Sequence, residues 1–155
     1  MEINVLVDDE LKSKLEVGWL RGVAEQVLIA LGVGGDAELG LFIATGERVK
    51  RLNRDYLGRD EPTDVLAFSA CEEAGNHLPF VQPPDGILHL GEVIISYPQA
   101  VKQAEEYKHS VKKEIAVLII HGVLHLLGYE HDRPELGLKM RAREQEVISH
   151  IGGLN

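Results

Sequence analysis

The chain is poor in several things, and each shortage narrows the field. It has a single cysteine, Cys71, so no disulfide can form within it, and a reducing compartment is expected. Nothing in the sequence around Cys71 marks it as a nucleophile. Long apolar runs are missing. The most apolar stretch, residues 115–127, is too short to span a bilayer and contains two histidines. The first residues, Met-Glu-Ile-Asn-Val, have neither the basic nor the apolar region of a secretory signal, so a cytoplasmic protein with no membrane partner is expected. Aromatic residues are only 5% of the chain, and the one tryptophan, Trp19, recurs with leucines and valines at helical spacing. It therefore reads as a core residue rather than a base-stacking platform. Positive charge is scarce too. The formal net charge is −9, which taken as a sum argues against nucleic-acid binding. Its distribution matters more than its total. Arg48, Lys50, Arg51, Arg54 and Arg59 fall close together, and Lys108, Lys112 and Lys113 form a second group. No repeat, linker or low-complexity segment divides the 155 residues, so residues 1–155 read as one domain with a substantial core.

Against this background one segment stands out, His121-Gly-Val-Leu-His125-Leu-Leu-Gly128-Tyr-Glu-His131. It reproduces the H-x-x-x-H-x-x-G-x-x-H frame of metzincin-type zinc sites, without their glutamate after the first histidine. Histidines at i and i+4 lie one above the other on a helix and can reach the same ion. Gly128 can take positive φ, end the helix and turn the chain so that His131 becomes the third ligand. Three protein ligands with an open fourth position define a catalytic zinc site, here one Zn²⁺ per chain. Such an ion lowers the pKa of its water to about 7, which gives hydroxide at neutral pH. Peptide hydrolysis in the HExxH enzymes needs the glutamate as a base, and Gly122 cannot supply one.

Periodicity places strands at residues 2–7, 37–45, 65–69 and 88–96. Helices are predicted from a cap at Asp8 or Asp9 to about residue 31, over 47–56, from Pro98 to about 108, from a Ser110 cap through the histidine segment, and from Pro134 to about 151. Residues 71–85, with three prolines and no periodicity, read as a loop or irregular hairpin. Strands followed by a run of helices predict an α+β fold: one small, mostly four-stranded sheet packed with helices. The histidine helix is apolar nearly all round, which predicts a central position and a zincin-like metal site borne on it.

Further motifs extend the pattern. Leu52-Asn53-Arg54-Asp55-Tyr56 is followed by Arg59-Asp60-Glu61-Pro62-Thr63-Asp64-Val65-Leu66-Ala67-Phe68. Leu90-Gly91-Glu92-Val93-Ile94-Ile95-Ser96 comes next, and then the histidine segment. In this order, from about residue 52 to 132, the series resembles the YbeY family of bacterial metal-dependent endoribonucleases, in which glycine also follows the first histidine. The resemblance implies zinc bound by His121, His125 and His131. It implies cleavage of single-stranded RNA in the maturation of the small-subunit ribosomal RNA 3′ end, a role in ribosome quality control, and association with the small ribosomal subunit and its proteins. This chain departs from the family at three places: Leu57 stands where an arginine is usual, and Glu92 and Glu130 stand where aspartates are usual.

With Leu57 unable to hold a phosphate, Arg59 is the candidate phosphate contact in catalysis and Glu92 the candidate base or supporting acid, with Glu130 and Asp132 as alternatives. Arg54, Arg59 and Lys112 are the candidate RNA-binding cations. Two other readings are a metalloprotease-like hydrolase, disfavoured by Gly122, and a non-catalytic ribosome-assembly factor whose metal is structural.

Overall fold

The computed structural model describes residues 1–33, 35–58, 63–70, 88–128 and 134–151. In order these form β1 (Glu2–Val7), α1 (Val17–Ala30), β2 (Ala37–Ala44), α2 (Gly46–Leu57), β3 (Val65–Ser69), β4 (Leu88–Ser96), α3 (Tyr97–Tyr107), α4 (Val111–Leu126) and α5 (Pro134–His150). The fold is α+β, as expected. Among the described residues the sheet has four strands in the order β1-β2-β4-β3, with β1, β2 and β4 parallel and β3 antiparallel at one edge. The loop expected over residues 71–85 lies outside the described residues, as does Cys71.

Alternation along β2 and β4 sends Leu39, Leu41, Ile43, Val93 and Ile95 to one face, where they are buried against α1 and α4. We call this the inner face. α4 buries residues all round its circumference, from Ile115 and Ala116 to Val123 and Leu124. It lies against the sheet, α1, α3 and α5, the central place its composition predicts. Among the described residues the outer face is covered only in part. Val49 and Leu52 of α2 close over Ala44, Leu66 and Ile94, a second and smaller apolar cluster.

One contact fixes the height of α4 against the sheet. A Cβ at Gly122 would stand 2.6 Å from Cγ1 and 2.9 Å from Cγ2 of Val93, so the helix approaches β4 at a distance open only to glycine. On the strand itself, Glu38 pairs with His89 but Leu39 pairs with Gly91, so Leu90 is an extra residue and β4 bulges. Gly91 takes φ +128°, and a Cβ there would lie 2.1 Å from the Phe68 carbonyl oxygen.

The first predicted helix is corrected. It does not run unbroken from Asp8 but forms a 3-10 turn at Asp9–Leu11 and begins again as α1 at Val17. The Asp8 carboxylate is used elsewhere: it accepts from the Thr45 backbone N–H at 3.0 Å and from Arg48 Nε at 3.2 Å, tying the end of β1 to the start of α2. Leu11 and Leu15 still reach the core from this broken segment. Trp19 packs half-buried against the core.

Candidate functional site

The serine predicted to cap α4 does so, the Ser110 hydroxyl accepting from the Lys113 N–H at 3.1 Å. At the other end, Gly128 takes φ +95° and its N–H bonds the His125 carbonyl at 3.0 Å, so the helix stops where positive φ was expected. His121 and His125 sit in the last two turns on one side, their rings 4.7 Å apart and inclined at 68°. Their Nε2 atoms are 3.1 Å from each other.

The tautomer of His121 follows from its other nitrogen. Nδ1 lies 2.8 Å from Oε1 of Glu144 on α5, and a carboxylate there accepts, so Nδ1 donates, which in the neutral ring leaves the Nε2 lone pair turned toward His125. α5 is held in place for this contact. Val147 and Ile151 are buried, and Arg143 Nη2 donates to the Ala30 carbonyl at 3.3 Å. Glu144 was missed in the sequence. The signal was an acid three and seven residues ahead of Val147 and Ile151, on the stripe of α5 that faces the core.

The donor set fits a zinc ion. Zn–N bonds are about 2.0–2.1 Å, so two imidazole nitrogens 3.1 Å apart lie within reach of one ion. A carboxylate behind one ligand is the usual support for such a histidine. The carbonyl end of α4, the negative pole of the helix, also favours a cation here. Among the described residues no group of three potential ligands converges, and His131, the expected third, lies outside them. If the pair holds metal, Glu144→Ala lowers the affinity about 10- to 100-fold with the helix content unchanged, by titration against a competing chelator. Unaltered affinity would remove Glu144 from the site.

The other predicted residues are dispersed. Glu92 points to the outer face, its Cγ 3.0 Å from where a Gly40 Cβ would lie, whereas α4 touches the neighbouring Val93 from the inner side. The sheet therefore stands between Glu92 and the histidine pair, and the described residues do not bring them together. Arg54 is on α2, also on the outer side, and bonds Asp55 at 3.2 Å. Lys112 lies at the start of α4 with Nζ 5.3 Å from the centre of the Trp19 ring. Nine residues of helix, roughly 14 Å, separate it from His121. Arg59, Glu130 and Asp132 lie outside the described residues.

A mixed sheet over a central helix that carries paired, carboxylate-backed histidines defines a class of metal-site-like α+β domains. Within that class the sequence is specific. The chain matches the family described as endoribonuclease YbeY over residues 4–152. A protein named endoribonuclease YbeY from Dehalococcoides mccartyi is 46% identical over 155 residues, covering 97% of this chain and 90% of the relative. Its namesake in Moorella thermoacetica is 45% identical over 133 residues, covering 86% and 85%. The solution structure of TM1509 from Thermotoga maritima superposes with a TM-score of 0.58 at 25% identity, covering 95% of this chain and 89% of that one. The chain belongs to the endoribonuclease YbeY family.

Proposed function

We propose that this protein is a zinc-dependent endoribonuclease, specific for single-stranded RNA, that matures the 3′ end of small-subunit ribosomal RNA in the cytoplasm and serves ribosome quality control in company with the small subunit and its proteins. The observation that carries the reading is family membership along nearly the whole chain, and the carboxylate-backed histidine pair supports it. No helix among the described residues is long and apolar enough to cross a membrane.

His121 and His125 would hold the ion, with His131 as the third ligand. When bound, the ion supplies Lewis-acid polarisation of a phosphate oxygen and a more acidic water. The chain does the rest. Glu144 keeps the His121 proton on Nδ1 and so presents Nε2 as a donor. Apolar Ile120 and Leu124, both fully buried, set the rotation of α4 that turns both imidazoles the same way. Gly122, closed against Val93, leaves no space for the glutamate that a peptidase of the HExxH type needs, which disfavours the metalloprotease reading.

The test is cleavage of a single-stranded RNA spanning a small-subunit 3′ end, by protein stripped with a chelator and then given back Zn²⁺. Cutting that vanishes on stripping and returns with the ion is expected. Metal-loaded protein that cuts no RNA would leave the assembly-factor reading in its place.

A further inference from the structure

The outer face of the sheet holds a feature that the histidine site does not use. Among the described residues α2 covers only the end of this face nearest Ala44 and Ile94, and beside it a groove of about 430 Å³ runs across the strands. Its floor is the cross-strand row Asn4, Gly40, Glu92 and Phe68. Gly40 removes a side chain from the middle of that row and so deepens it. Two half-buried aromatic rings, Phe42 and Phe68, border it, and α2 leans over both. The Arg48 guanidinium lies 5.5 Å from the centre of the Phe42 ring, and the Tyr56 ring meets Phe68 edge-on at 5.8 Å. Arg48, Leu52 and Tyr56, spaced i, i+4, i+8, lie on the side of α2 that meets Phe42 and Phe68, beside the groove rather than in its lining. Tyr56 is 70% exposed, a large ring left in water beside a groove.

We propose that this groove binds a short stretch of single-stranded RNA, with its bases on Tyr56, Phe68 and Phe42 and its phosphates toward α2. The inference rests on the ribonuclease reading for its choice of ligand. Charge complementarity orients the strand. α2 carries four cations, Arg48, Lys50, Arg51 and Arg54, against two acids, in a chain of net charge −9. Lys50 and Arg51 are exposed, which suits phosphate contacts. The groove itself presents acceptors. Glu92 is exposed, and Glu38 is hydrogen-bonded to His89 at 3.1 Å. Carboxylates repel phosphate but accept from exocyclic base amines, so bases face inward and the backbone outward. Exposed aromatics on a sheet with a cationic rim are the general means of holding unpaired bases without strict sequence preference. The groove also has an exit. Among the described residues Phe68 is on the edge strand β3, and α4 packs on the other face of β3 and β4, so a strand leaving over Phe68 passes round the edge toward the helix that carries the histidines.

The experiment measures binding of a fluorescein-labelled, 2′-O-methyl single-stranded oligoribonucleotide to the full chain by anisotropy, over a range of salt. Loss of one stacked base corresponds to about 1–3 kcal/mol, so Tyr56→Ala is expected to weaken binding roughly 5- to 150-fold with the salt slope unchanged. Tyr56→Phe keeps the ring and retains affinity. Arg51→Ala lowers the slope by about 0.7, the share of one single-strand phosphate contact. No binding by the unaltered protein, equal binding by Tyr56→Ala, or a Tyr56→Ala loss that comes with a reduced slope overturns the proposal. Cleavage of unmodified RNA is scored in parallel. Cutting with no effect of Tyr56→Ala on binding removes the groove and keeps the ribonuclease, whereas a Tyr56-dependent complex without cutting does the reverse.

Discussion

His125→Ala is expected to lower metal-dependent RNA cleavage at least about 1000-fold, because polarisation of the scissile phosphate by an ion is worth several kcal/mol of transition-state stabilisation. His125 lies in the last turn of α4 and is half-buried, with its Nε2 3.1 Å from Nε2 of His121. Removing the ring takes away one of two convergent donors. The backbone should not suffer, since alanine is the best helix former and the helix stop at Gly128 depends on backbone bonds. Cleavage should therefore fall together with bound metal, measured by elemental analysis, while the circular dichroism spectrum is kept. Cleavage at the original rate by the purified variant would sink the assignment of this histidine pair to the reaction.

Gly122→Ala should lower stability by about 1–3 kcal/mol in urea unfolding, for a single added methyl group. The new Cβ would meet both γ-methyls of Val93, the nearer at 2.6 Å, and its Cβ at 3.3 Å. Val93 cannot give way easily, because a β-branched side chain on a strand is stiff at χ1 and this one is fully buried. The helix must then lift from β4, and His121 moves with it. A second change separates this cause from any other. Val93→Ala clears the space, so the double variant should be more stable than the sum of the single losses, by a coupling of about 0.5–3 kcal/mol. Additive losses would show that the close approach of α4 to β4 is not what requires glycine. The same contact explains why a glutamate cannot be restored at this position to make a peptidase.

Much of the site's local geometry was legible in the sequence because it depends on neighbours in the chain. The i, i+4 spacing of His121 and His125, the Ser110 cap and the positive φ of Gly128 follow from helical periodicity and terminus chemistry, and each is present. So are the four strands, the α+β class and the central position of an all-round apolar helix. The motif series was specific enough to identify the family, which the comparison over residues 4–152 bears out.

What tertiary structure alone decided are the relations between distant segments. Glu144 reaches His121 from 23 residues away, and nothing near either residue states that α5 crosses α4 at that level. Asp8 looks like a helix cap but spends its carboxylate on Thr45 and Arg48, 37 and 40 residues on, so the first helix breaks. Glu92 precedes three consecutive buried apolar residues, Val93, Ile94 and Ile95, so alternation along the chain does not show its face. The face it presents was set by the bulge at Leu90, which shifts the parity of β4 and puts His89 and Glu92 on the same outer side. Along a chain, periodicity tells which residues share a face. It does not tell which face meets which partner, because that depends on strand register and helix packing, and one inserted residue reverses the assignment.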